Sequence, residues 1–170
     1  ERIKGLIRFL KILGDTGTLY NSTGGDQATV PFELVGDRPV IRLKVNDRAE
    51  PLRFVLDTGS GISVISEATA KKLKIRALTK GGYAKGIGGD GKFEIVYGML
   101  RKVAIGDVSL KNVPVYMRKF QETDNPVDGY IGLALISKFL TTIDYGNKTF
   151  SLTKKSEDKR EFQKTVALSL

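Results

Sequence analysis

The sequence predicts a mostly β fold. Short β-branched and aromatic runs recur along the chain, Gly-, Asp-, Asn- and Pro-containing turns separate them, and few stretches have a helical composition. At 170 residues, 41% hydrophobic and 28% charged, the chain has the size of one domain and can bury a core. A disordered tail would be poorer in apolar residues. No apolar run reaches the length of a membrane-spanning helix.

Residues 1–14, ERIKGLIRFLKILG, place Ile3, Leu6, Ile7, Leu10 and Leu13 at helical spacing, although Phe9 and Ile12 interrupt the stripe and leave a strand as an alternative. Residues 14–28 are rich in Gly, Asp, Asn and Thr and read as a loop or linker. From Thr29 the texture changes. TVPFELV, PVIRLKVN and PLRFVL predict strands separated by Gly36-Asp37-Arg38-Pro39 and Asn46-Asp47-Arg48. ISVIS (62–66) predicts another strand, and EATAKKLKI (67–75) a short helix. Residues 92–106 read as two strands, or one long bent strand, with Gly98 at the break. VPVYMRKF (113–120) is a further strand, LALISKFL (133–140) is helix-like, and TTIDYGNKTFSL (141–152) is a hairpin turning at Gly146-Asn147.

Composition restricts the chemistry. Without Cys there are no disulfides or thiolate metal sites. Without His, serine–histidine and cysteine–histidine catalysis and His-based zinc sites are excluded. Catalysis then falls to carboxylates, Lys, Tyr, hydroxyls or a borrowed cofactor. The net charge of +9 raises the question of an anionic partner. The main basic cluster, Lys71, Lys72, Lys74, Arg76, Lys80 and Lys85, lacks the interleaved aromatics of a stacking platform, so it reads as a solvated face and no nucleic-acid partner is expected.

The most informative segment is Phe54-Val-Leu-Asp57-Thr58-Gly59-Ser60. An apolar strand buries the approach to Asp57. Gly59 permits a sharp turn, and the short hydroxyls of Thr58 and Ser60 can bond nearby backbone. Ile62–Ser66 then leaves as a new strand, so one carboxylate is presented at a rigid loop tip. Glycines recur 29 residues after Asp57, in Gly86-Ile87-Gly88-Gly89-Asp90-Gly91. Here Lys92-Phe93 opens a strand, whereas a phosphate-cradling loop would carry Lys-Ser/Thr at a helix start. Val127-Asp128-Gly129-Tyr130-Ile131-Gly132-Leu133 supplies two apolar residues followed by Gly and a helix-like stretch.

Together these motifs resemble the aspartic proteases, and more closely the single-lobed retropepsin-like group in its bacterial form; the likeness covers residues 29–153. The resemblance implies a closed or partly open β-barrel with one or two short helices and a glycine-rich flap hairpin. It implies an endopeptidase with Asp57 as the catalytic carboxylate and Thr58, Gly59 and Ser60 supporting its loop. Gly86, Ile87, Gly88 and Gly89 would form the flap over a peptide or protein substrate, and Ile131 and Gly132 would pack behind the loop. One lobe supplies one such Asp, so a homodimer is expected, with Thr58 bonding across it. Neither metal nor cofactor is expected. Viral members carry a substrate-binding Asp four positions after the catalytic one; here that position is Gly61, so viral specificity does not transfer.

Asp15-Thr16-Gly17 repeats the tripeptide in a polar loop without an apolar lead and reads as non-catalytic. Asp128 and Asp144 read as turn residues. Residues 1–28 are expected to be an extension or linker, and residues 154–170 a charged segment ending in a strand. Residues 163–170 echo 27–34, which leaves open a further lobe or domain. The chain opens Glu1-Arg2-Ile3 without Met, and a periplasmic or cell-envelope location after signal removal is one expectation. The rival readings are a retropepsin-like binding or dimerisation module and, more distantly, a basic nucleic-acid-binding domain.

Overall fold

The computed structural model describes residues 2–85, 92–120 and 124–155. In chain order its elements are α1 (Arg2–Asp15), β1 (Asn21–Gly24), β2 (Gln27–Val35), β3 (Arg38–Val45), β4 (Leu52–Leu56), β5 (Ser63–Ser66), α2 (Glu67–Lys72), β6 (Thr79–Lys85), β7 (Lys92–Ile105), β8 (Val108–Arg118), β9 (Gly129–Ile131), α3 (Leu133–Ile136), β10 (Phe139–Asp144) and β11 (Thr149–Lys154). The fold is mostly β, as expected.

The strands form one sheet in the order β10-β11-β2-β3-β4-β9-β5-β8-β7-β6, with β1 added to β8. β3 also pairs with β7 through Lys44↔Ala104 and Val45↔Val103. β3, β4, β9, β5, β8 and β7 therefore close a ring of strands. Alternation fills this ring: Ile41, Leu43 and Val45 of β3 are buried while Arg42 and Lys44 are exposed. Phe54, Ile65, Leu100, Val113, Val115 and Ile131 belong to the same core. Burying each such side chain contributes about 1.5–3 kcal/mol.

The short helix α2 starts where Ser66 accepts a hydrogen bond from the Thr69 N–H (3.1 Å), an N-cap that satisfies one orphan donor. The hairpin β10–β11 turns through residues 145–148, where Asp144 accepts from the Asn147 N–H (2.9 Å) and its side-chain amide (2.8 Å). Both bonds hold the Asp144 carboxyl below the usual carboxylate range.

Several elements differ from the sequence expectations. The described chain has three helices, and α1 is 14 residues long. In α1 most of the helically spaced apolar residues face outward: Ile3 is 74% exposed, while Phe9, one of the two residues that interrupt the spacing, is 1% exposed and Leu13 packs beside its cluster. Phe9 wins the inner position because its ring stacks on Tyr97 with centroids 4.2 Å apart. Gly5, one turn earlier, brings the backbones together, since a Cβ there would collide with Lys80 O and approach Gly81 Cα to 2.6 Å. The expected loop at 14–28 contains β1, four polar or Gly residues whose strand state comes from pairing Asn21–Gly24 with Lys111–Val108 of β8. Of the two readings of residues 92–106 the single long strand is the one found, since β7 runs unbroken through Gly98 and packs it against Met117. Helix α3 ends at Ile136 because Phe139 already begins β10. The tip residues Gly86, Ile87, Gly88 and Gly89 and the echo at 163–170 lie outside the described residues.

Candidate active site

Asp57 stands immediately after β4, at the start of a loop running to Ile62. Leu56 before it is buried, and Asp57 is half-buried. Strand β9 passes between the strands that enter and leave this loop. It pairs parallel with β4 (Phe54↔Gly129, Val55↔Tyr130, Leu56↔Ile131) and antiparallel with β5 (Val64↔Tyr130, Ile65↔Gly129). The narrow site for β9 explains its glycine, because a Cβ on Gly129 would collide with the Phe54 ring and the Val64 carbonyl oxygen.

Backbone hydrogen bonds tie one flank of the loop to the end of β9 and the other to the first residues of α3. The Asp57 N–H donates to the Ile131 carbonyl oxygen (3.0 Å). On the other side the Leu133 N–H donates to Ser60 O (2.7 Å) and the Ala134 N–H to Gly61 O (2.9 Å). Within the loop the Gly59 N–H donates to Asp57 Oδ1 (3.1 Å), and Ser60 Oγ–H donates to Ile62 O (2.9 Å). Thr58 and Gly59 are exposed, so the tip faces outward while its base is held. Ile131 and Gly132 are buried directly behind the loop. A Cβ on Gly132 would stand 2.7 Å from Ile62 C and 2.9 Å from both Ile62 O and Ser60 O, all backbone atoms. Gly61 is the opposite case: it is exposed, and a Cβ there would meet nothing within 4 Å.

Two supporting residues escape motif reading. Buried Ser63 accepts a hydrogen bond from the Gly132 N–H at its Oγ (3.0 Å), linking the strand after the loop to the residue beneath it. Its only sequence signal is a hydroxyl inside the apolar run Ile62–Ile65. The second is Thr69. Ser66 Oγ–H donates to Thr69 Oγ1 (2.8 Å), and Thr69 Oγ1–H donates to Asp128 Oδ1 (2.7 Å). Asp128 Oδ2 accepts from the Arg53 N–H (2.8 Å), and its backbone pairs with Arg53 O and the Ser66 N–H. Asp128 thus braces β4, α2 and the approach to β9, the structural part its sequence position suggests.

Asp15 ends α1, where Thr16 Oγ1–H donates to Ile12 O (2.7 Å) and Gly17 takes φ +90°, so this second Asp-Thr-Gly closes a helix. Of the hairpin expected to act as a flap, only the arms are among the described residues. β6 and β7 pair up to Lys85↔Lys92, with an irregularity between Lys80 and Tyr83. Among the described residues no group of three or more His, Cys, Asp or Glu is placed to hold a metal ion. No helix there is long and apolar enough to cross a membrane.

The profile of a family described as Aspartyl protease matches residues 41–135, which include the loop, β9 and all but the last residue of α3. No curated protein matches the chain. Among solved structures it is similar to a retropepsin-like aspartic protease from Rickettsia conorii (18% identity, TM-score 0.54, covering 81% of this chain and 96% of that one). The retroviral protease-like domain of Ddi1 from Leishmania major is also similar (17% identity, TM-score 0.48, 71% and 95% covered). So is the EIAV protease complexed with the inhibitor HBY-793 (25% identity, TM-score 0.43, 62% and 90% covered).

Proposed function

The chain belongs to the aspartyl protease family, and we propose that it is an endopeptidase whose active site is completed by a second copy of itself. The observation that carries this reading is the Asp57 loop, a half-buried Asp beside an exposed tip, on a base bonded to β9 at one flank and to the first residues of α3 at the other. Residues 29–153 form the protease unit, with 1–28 as an N-terminal extension and 154–170 as a charged C-terminal segment.

The mechanism follows from what the chain lacks. Peptide hydrolysis without His or Cys needs another way to activate water. Two carboxylates about 3 Å apart cannot both ionise, so they share one proton. A C2 dimer would bring Asp57 and its symmetry mate together on the axis. The charged carboxylate takes a proton from water as the water oxygen attacks the scissile carbonyl carbon. The protonated one gives its proton to the carbonyl oxygen. The tetrahedral intermediate then collapses as the amide nitrogen is protonated and the C–N bond breaks. Thr58, next to Asp57 and exposed, would bond across the dimer. Gly59 and Ser60 fix the loop, and Gly86–Gly89 would close over the substrate and exclude water.

The test is cleavage of casein between about pH 3 and pH 8 by the wild type, Asp57→Asn and Asp15→Asn, with molecular mass recorded at each pH. Loss of cleavage in Asp57→Asn alone, with wild-type cleavage only where dimers exist, supports the proposal. No cleavage by a folded dimer at any pH would contradict it and leave a binding or dimerisation module.

A further inference from the structure

We infer that α1 is a docking element for an anionic lipid surface. Its orientation is set by Phe9 and Gly5, which face the body of the protein at Tyr97 and Lys80–Gly81. With 3.6 residues per turn, Ile3, Leu6, Ile7 and Leu10 then lie roughly a third of a turn away from that contact. They are 74%, 42%, 47% and 56% exposed, a continuous i, i+3, i+4, i+7 stripe that the fold leaves uncovered. Rolling the helix to bury them would break the Phe9–Tyr97 stack. About a further third of a turn on lie Lys4, Arg8 and Lys11, all exposed. The only acid within α1 is Asp15, in its last turn.

The charge pattern selects the occupant. A second copy of α1 would set one row of Lys and Arg near another. Four side chains also fall far short of the about 800 Å² per partner that a stable dimer buries. A nucleic acid would use the basic row and leave the apolar stripe in water. An anionic bilayer uses both, with leucine and isoleucine entering about 5–10 Å into the headgroup boundary and the cations beside lipid phosphates. α1 therefore lies in the interface plane, with the protease unit beneath it.

The test is co-sedimentation of the full 170-residue chain with vesicles of phosphatidylcholine and phosphatidylglycerol, beside vesicles of phosphatidylcholine alone. The expected result is binding to the mixed vesicles, at least tenfold weaker to the neutral ones and at least tenfold weaker for Ile7→Glu/Leu10→Glu. Circular dichroism should show an unchanged fold, because both sites are exposed. Because the chain has no Trp, Leu10→Trp adds a single reporter that keeps the stripe apolar, and its emission should shift to the blue only with the mixed vesicles. No binding to mixed vesicles, equal binding by Ile7→Glu/Leu10→Glu, or an unshifted Trp emission would overturn the inference. So would a solution dimer abolished by Ile7→Glu/Leu10→Glu in a chain that ignores lipid.

Discussion

Glycines of the Asp57 loop show how local surroundings decide what one residue type contributes. Gly132 is enclosed by the backbone of Ser60 and Ile62, so Gly132→Ala must move the loop. Overpacking of this kind costs about 1–3 kcal/mol, and displacing the base of Asp57 should also lower casein cleavage. Gly61→Ala meets open space and should stay within about 0.5 kcal/mol of wild type, as thermal melting of the two variants will show. Ser63→Ala leaves the buried Gly132 N–H without its acceptor, at a cost of about 1–3 kcal/mol. Asp144 carries a pH dependence. Its carboxyl is held low in the folded chain, so its contribution is present above its unfolded value of about pH 3.9 and is lost as pH falls through the lower folded value. Asp144→Asn should flatten the acid limb of a stability profile. At this scale the Asp-Thr-Gly loop was legible because its residue types are dictated by a turn. Ser63 was not, since a hydroxyl inside an apolar run gives no hint of the backbone N–H it will meet.

Among the elements, the sequence is readable where one strand face is buried and less so where pairing alone makes the strand. The alternation in β3 and the turn chemistry of β10–β11 are local signals. β1 has none; its state depends on β8, nearly ninety residues away in the chain (Asn21↔Lys111). α1 was legible as a helical spacing but not in its facing. Ile3, Leu6, Ile7 and Leu10 form the outer face, and Phe9, with Gly5 one turn before it and Leu13 one turn after it, makes the inner contact. The small cluster of Phe9, Ile95 and Tyr97 is separate from the main core. Phe9→Ala should therefore loosen α1 without unfolding the strand ring. Hydrogen exchange should accelerate in residues 2–15 while β3, β4 and β8 keep their protection. Equal acceleration in all four would mean that α1 is part of the core's cooperative unit.

For the whole molecule, the proposed mechanism requires a second carboxylate. The chain carries one apolar-led Asp-Thr-Gly, and its other copy of the tripeptide closes a helix. Two Asp57 residues from two chains complete the proposed dyad, which makes activity a property of the pair. The most direct measurement is casein cleavage at fixed wild-type concentration with a ninefold excess of folded Asp57→Asn chain added and allowed to exchange. Random pairing in a C2 dimer leaves about one tenth of the wild-type chains with a wild-type partner, so cleavage should fall to about one tenth. Cleavage that stays at the level of the wild type alone, once exchange between chains has been verified, would contradict a dyad shared across the dimer.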